Sequence, residues 1–286
     1  MKTIRVQLQG GLGNQLFIWA MAHEITLSTG RRVQLDYVRD QYQRKDRPIE
    51  IERLLDVCQH DISINETKLM GNLFRFIDKI GSYSKFSQYL LSGIMRMYDC
   101  KTSYEIPDIS KRNPKIIRGY FHSTEMVERN HEVLEREIKS ILEREQVANK
   151  VNTNLVLHIR RGDTREISKN WGVLSLNYYL NQVDTSAPLT ISLDDTKEVE
   201  VLAQHFPHAT FLTPDNSTTW QTLKILAESK TLIIANSTLS WWGAWIKSVD
   251  NPETVYFPDS WRPADPKTIE NLRISSAHFV KSEFEV

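Results

Sequence analysis

Ile4, Val6 and Leu8 alternate with polar residues, the period of a strand with one face inward, and a helix-patterned stretch follows from about Asn14 to Ser28. RVQLD, residues 32–36, reads as a second strand. Between residues 60 and 100 the pattern is mainly helical, with Leu69, Leu73, Phe76, Ile77 and Ile80 at helical spacing. KIIRGY, residues 115–120, is strand-like. The charged stretch from Glu125 to Gln146 then sets Val127, Leu134, Ile138, Ile141 and Leu142 on one apolar stripe, so its charges need be no more than a solvated helix face.

After about residue 150 the rhythm becomes more regular. NLVLHI, PLTISL, ATFL, TLIIA and TVYF are short apolar runs of the kind that fill a parallel sheet. Helix-sized segments separate them: SLNYYLNQV, TKEVEVLAQHF, TTWQTLKILAES and SWWGAWIKS. Strand–helix alternation predicts doubly wound α/β architecture, here two Rossmann-like halves, residues 1–150 and 151–286. Ligands of such sheets sit beyond the carboxyl ends of the strands.

Composition narrows the function classes. The 286 residues are 40% hydrophobic and 25% charged, which is globular. Lys plus Arg equals Asp plus Glu at 36 each, so no whole-molecule field recruits nucleic acid or an anionic membrane. Cys58 and Cys100 cannot build a disulfide framework and suit a reducing compartment. No apolar run has the length of a membrane span, and MKTIRVQLQGG lacks the apolar core of a signal peptide. The expectation is a cytoplasmic protein in which the sequons at Asn65, Asn216 and Asn236 are idle.

The first strand runs into QGGLGNQLF, residues 9–17. A nicotinamide-binding turn needs G-x-G-x-x-G, whose third glycine lets the helix pack close to the strand. Gly11 and Gly13 are in place, but the third position is Leu16; Asp36 is a rough match for the acid that grips a ribose. The fingerprint leaves the two amides Asn14 and Gln15 unexplained.

Four stretches fall at later strand ends. HIRRGD, His158–Asp163, brings adjacent arginines out of a buried strand, and guanidinium forks grip phosphate bidentately; the alternative is an Arg–Asp structural pair. SLDD puts Asp194 and Asp195 after a strand, where a helix cap accounts for them as well as a functional role does. TPDN offers Asp215 as acceptor for a base edge or as a cap. ANSTLSWWGAW sets Asn236, Ser237 and Thr238 between a strand and a helix start, a ready anion site, while its tryptophans are read as packing. No D-x-D flanks a strand and no His/Cys pairs stand at ligand spacing, so no metal is expected. Together these features suggest a nucleotide diphosphate neutralised by arginine rather than magnesium.

QGGLGNQLFIWA, GYFHS, HIRRGD and ANSTLSWWGAW, in that order and spacing, closely resemble the bacterial α-1,2-fucosyltransferases of glycosyltransferase family eleven, through nearly the whole chain. The resemblance implies a GT-B-type fold with the active site in the cleft between its halves. It also implies GDP-fucose as donor, metal-free inversion at the anomeric carbon, and a β-galactoside acceptor in a surface polysaccharide or oligosaccharide, with peripheral contact to a lipid-linked acceptor. On the donor side, Arg160 would grip the β-phosphate beside Arg161, and His158 and Asp215 would approach guanine. Asn236, Ser237 and Thr238 would line the phosphates, and Asp194 or Asp195 would support the pocket. Gly11, Gly13, Asn14, Gln15 and His122 fall on the acceptor side, with Asn14 orienting the reacting groups. Asp163 or Glu166 would serve as base, with proton loss to phosphate or water equally open. His122 stands where the family usually has Gln, and TTWQTLKIL where it tends to have a tyrosine–acid pair. Two rivals are an NAD-dependent oxidoreductase using the N-terminal turn and a non-catalytic carbohydrate-binding protein with tryptophans stacked on sugar.

Overall fold

The computed structural model describes residues 3–37, 48–147, 151–162, 172–250, 254–265 and 267–285. The chain divides into two compact units, Met1–Ser140 and Ile141–Val286.

Unit 1 is built on a five-stranded sheet of β1 (Ile4–Leu8), β2 (Val33–Tyr37), β3 (Ile62–Glu66), β4 (Met97–Asp99) and β5 (Ile116–Arg118), in the order β3-β2-β1-β5-β4. Every pairing is parallel. The helix Leu12–Thr29 follows β1 and is buried on almost every side, including Trp19, His23 and Gln15. A helix apolar all round belongs inside a layer rather than on its surface. Val127, Leu134, Ile138, Ile141 and Leu142 are buried as their stripe requires, on the helices Thr124–Arg129 and His131–Leu142. Phe76 departs from its stripe and is 56% exposed, whereas Ile77 beside it is buried.

The mainly helical reading of residues 60–100 is corrected at its ends. The helices Lys68–Tyr83 and Lys85–Met95 are flanked by β3 and β4, which lie at the two edges of the sheet. ISINE buries only Ile62 fully, and β4 has three residues, so neither carries a strong period-2 signal.

Unit 2 holds a six-stranded parallel sheet of β6 (Leu155–Ile159), β7 (Leu189–Leu193), β8 (Ala209–Leu212), β9 (Thr231–Ile233), β10 (Val255–Pro258) and β11 (His278–Val280). The order β11-β10-β9-β6-β7-β8 places the first strand centrally, with the chain winding first one way and then the other. All five apolar runs became strands; β11, three residues at the edge, was not foreseen. One face packs Leu157, Ile159, Tyr178, Tyr179, Ile191 and Phe206 into a cluster. Trp241, Trp242 and Trp245 are fully buried on the helix Thr238–Asp250, meeting edge-on at 5.2 and 5.4 Å. A Cβ on Gly243 would stand 2.6 Å from Cβ of Leu226, so the glycine is what lets this helix approach Thr219–Glu228. Tryptophans sealed this way cannot stack on a sugar, which removes the feature that supported the carbohydrate-binding rival.

Candidate active site

In each sheet the first strand has neighbours on both sides, so two loops at its carboxyl end come together at the point where the winding reverses. Both half-sites lie there.

In unit 2 the loops after β6 and β9 bring Arg160 to Ser237, with Nη1 donating to Oγ at 3.2 Å. The Arg160 Nε stands 3.8 Å from the Asp194 carboxylate. Asp194 closes the turn from the other side: its Oδ1 accepts from the backbone N–H of Arg161 at 2.8 Å and of Gly162 at 3.0 Å. This fixes the chain as it leaves β6 and so aims Arg160. The carbonyl of Ser237 accepts from the N–H of Trp241, which puts Ser237 and Thr238 at the start of a 13-residue helix. First-turn N–H groups have no partner within a helix and carry the positive end of its dipole. His158 is buried on β6 beside Ser192 of β7. Burial pushes its imidazole down to about 4, with Arg160 adding to the fall and Asp194 opposing it. It is therefore neutral at pH 7, and its Nδ1 has no hydrogen-bond partner among the described residues.

Three other predicted donor residues, Arg161, Asp195 and Asn236, have structural partners. Arg161 is 5% exposed and bonds Glu198 at 3.3 Å and Glu285 at 2.6 Å, so the two arginines of the pair divide between a site and an ion-pair network. Asp195 caps a 3-10 turn by accepting from the N–H of Lys197. Asn236 is a staple: its Nδ2 donates to the carbonyls of Gly172 and Trp261 at 3.0 and 3.1 Å. Asp215 is exposed in the turn after β8 and accepts from the Thr196 hydroxyl at 2.8 Å. Asp163 and Glu166 lie outside the described residues.

In unit 1 the loops after β1 and β5 join Asn14 to His122, with Oδ1 and Nε2 3.0 Å apart. Gly10 has φ +79°, and a Cβ there would stand 2.5 Å from Nδ2 of Asn14, so only glycine lets the loop pass over that amide. The N-cap is Gly11, without a side-chain bond, and Asn14 sits inside the first turn, so Asn14 is not the residue that caps this helix. His122 is buried between the rings of Phe17 and Tyr120, with centroids 5.0 and 5.5 Å away. Before it Phe121, buried, holds φ +59°, a left-handed conformation that an aromatic residue adopts only under tertiary constraint.

Gln15 is committed to the backbone. Fully buried, it donates to the carbonyls of Gly10 and Pro48 at 2.8 and 2.9 Å and accepts from the N–H groups of Glu50 and Ile51. Gly13 is buried within the helix. Asp36 is held by both Arg5 nitrogens at 2.6 and 2.9 Å and by Gln34, which leaves no acid for a ribose. The nicotinamide reading loses its second support. A cavity of about 890 Å³ opens beside β4, lined in part by Arg96, Tyr98, Cys100, Glu105 and Arg112; no residue of the four motifs lines it. Among the described residues no helix is long and apolar enough to cross a membrane.

No protein-family model matches the chain. It is 23% identical over 290 residues to the O-antigen biosynthesis glycosyltransferase WbnK of Escherichia coli, across 91% of this chain and 95% of that protein. It is also 23% identical over 287 residues to an alpha-1,2-colitosyltransferase of Escherichia coli, across 91% and 93%. Similar solved structures include the fucosyltransferase NodZ from Bradyrhizobium, at 14% identity and TM-score 0.43, covering 86% of this chain and 94% of that one. The E. coli heptosyltransferase WaaC with ADP has 11% identity and TM-score 0.47 over 98% and 93%. POFUT1 in complex with GDP has 11% and 0.43 over 89% and 97%. Similarity to these bacterial glycosyltransferases extends over 91% of the chain.

Proposed function

We propose that the chain is an inverting glycosyltransferase of GT-B type that moves fucose from GDP-fucose to the 2-hydroxyl of a β-galactoside in an O-antigen-like glycan, without a metal at the donor. Residues 151–286 take the donor and 1–150 the acceptor. The observation that carries this reading is the Arg160–Ser237 pair at the head of a helix, an anion site in which a guanidinium and a helix N-terminus converge.

Breaking the bond between fucose and GDP passes through a transition state with oxocarbenium character, like glycoside hydrolysis. Charge accumulates on the β-phosphate oxygen as the bond stretches. Arg160, aimed in advance by Asp194 and Ser237, stabilises that charge more than it stabilises the intact donor, which is what lowers the barrier. The neutral His158 presents a ring nitrogen to the guanine base, and Asp215 approaches it from the turn after β8. Asn14, held by His122, orients the attacking hydroxyl. Its proton goes to Asp163 or Glu166, or to phosphate or water.

A second donor has a specific observation behind it. One relative is named a colitosyltransferase, at the same identity as the first, so GDP-colitose is the alternative donor for the same site.

The test is transfer to a panel of β-galactosides in EDTA, with GDP-fucose and GDP-colitose as donors. Linkage is read by NMR. Expected are a 2-linked α-product and saturable GDP binding with chelator present. Arg160→Lys should lower turnover by roughly a hundred- to thousandfold, because one ammonium cannot reproduce a preorganised fork. Absence of GDP binding, or stabilisation by NAD instead, overturns the proposal. Loss of activity on chelation, restored by magnesium or manganese, overturns its metal-free part.

A further inference from the structure

Unit 1 gathers three residues that no motif contains. His23 on the helix Leu12–Thr29, Cys58 in the loop after the 3-10 turn Ile51–Asp56, and Glu137 on the helix His131–Leu142 bring one ligand atom each to within 4.8 Å of one another. We propose that His23, Cys58 and Glu137 bind a divalent metal of the zinc class, which cross-links these three segments.

Glu137 is the starting point. Its carboxylate is fully buried, and Oε2 is occupied by the Trp19 indole N–H and by His23 Nε2, each at 2.9 Å. Oε1, equally buried, meets no N–H or O–H donor among the described residues, and the Cys58 thiol is its polar neighbour. A buried carboxylate oxygen without a strong donor is costly, and a bound cation is one way to satisfy it. The Cys58 thiol faces this carboxylate. Its Sγ donates to the His60 carbonyl at 3.6 Å, which holds it at the cluster. Imidazole, thiolate and carboxylate are the ligand types that zinc-class ions take. Ligand bonds of about 2.0–2.3 Å set tetrahedral ligand atoms roughly 3.2–3.8 Å apart, which the cluster reaches by small adjustments: its atoms lie within 4.8 Å of one another, and the His23–Glu137 pair, now at 2.9 Å, opens slightly.

The surroundings are those of a ligated histidine. His23 Nδ1 lies 2.8 Å from His60 Nδ1, so the second ring nitrogen already has a partner that fixes ring orientation. Without metal, His23 Nε2–H donates to Glu137 and Nδ1 accepts from His60. With metal, Nε2 is the ligand and releases its proton to solvent; the His60 Nδ1 proton shifts along the hydrogen bond to His23 Nδ1, which then donates to His60, and the outer nitrogen of His60 takes a proton from solvent. The Cys58 proton is released to solvent. Trp19 continues to hold Glu137 Oε2. The metal site stands nine residues along the helix from Asn14, roughly 13 Å, so its role is to brace unit 1 rather than to meet substrate.

The test uses the full chain. Metal content is measured on protein purified without chelator, and the chelator-treated protein is titrated with Co²⁺. Expected is stoichiometric uptake, with a near-ultraviolet thiolate-to-cobalt absorption and a melting temperature that rises with metal concentration. Cys58→Ser should abolish the absorption while Cys100→Ser keeps it, and Glu137→Gln should weaken affinity at least about tenfold. Circular dichroism confirms that each variant is folded; Cys58, partly exposed, accepts serine without a cavity. No saturable uptake by the wild-type chain overturns the proposal, and so does an absorption that survives in Cys58→Ser.

Discussion

Replacing Gln15 by leucine tests whether this amide meets a ligand or holds the chain together. Its side chain satisfies four backbone groups, the carbonyls of Gly10 and Pro48 and the N–H groups of Glu50 and Ile51, at 2.8, 2.9, 2.9 and 3.3 Å. Leucine withdraws the Gln15 bonds from all four. A buried backbone group deprived of its bond costs about 1–3 kcal/mol. Pro48 is exposed and Glu50 and Gly10 half-buried, so water recovers part of that at three of them; Ile51 is fully buried, but its bond is the longest. The net loss should be about 2–4 kcal/mol. At roughly 2–4 °C per kcal/mol for a unit of this size, the melting temperature of unit 1 falls by on the order of 5–15 °C. Differential scanning calorimetry reads this directly, and GDP affinity, measured below the transition, stays at its wild-type value. An unchanged transition accompanied by lost transfer activity would refute the staple and return Gln15 to the acceptor.

Three further outcomes follow from the geometry. Arg161→Ala strands Glu198 and Glu285 and should cost about 3 kcal/mol in urea denaturation; a collapse of GDP affinity at wild-type stability would instead make Arg161 a donor ligand. His158, held down to about 4 in the fold against an ordinary value near 6.5, takes up a proton more readily when unfolded. Stability is therefore full above pH 6.5 and falls as pH drops toward 4, by up to about 3 kcal/mol, and His158→Gln should flatten that part of the profile; equal pH profiles would contradict it. Asn14→Ala should lower kcat far more than it weakens GDP binding, with a melting temperature close to wild type because Gly11 rather than Asn14 stands at the cap; a stability loss with normal turnover of the folded fraction would overturn this.

What the sequence discloses and what it hides divide along a physical line. Central parallel strands are buried on both faces, so NLVLHI and TLIIA announce themselves as unbroken apolar runs. The edge strands β3, β4 and β11 are polar or three residues long and pass unnoticed. At the candidate site, the strand-to-helix junction ahead of Thr238 was legible because the type of residue is itself the signal. The roles of Arg160 and Arg161 were not separable, since neighbouring residues leaving a strand take different directions and only the folded chain shows which one meets Glu198 and Glu285. Gln15, Asn236 and Asp36 look like ligand groups in sequence. Each is instead committed to a partner at least 25 residues away: Pro48, Trp261 and Arg5. The same distance hides the His23–Cys58–Glu137 cluster, whose members share no local spacing.

Because every strand of each sheet runs the same way, each sheet has two unlike rims. The Gly10–Gly11 turn, Arg160 and the head of the helix Thr238–Asp250 stand on the rim where strands end; the turns at Gly30–Arg31 and Pro207–His208 stand on the rim where strands begin. Changes to the chain are therefore not equivalent by position. A fluorophore, an affinity tag or an inserted peptide at Gly30–Arg31 or Pro207–His208 enters exposed backbone on the inactive rim and leaves the machinery untouched. If the proposed acceptor side is right, libraries meant to alter which sugar is accepted belong on the opposite rim, in residues 9–14 and 119–123.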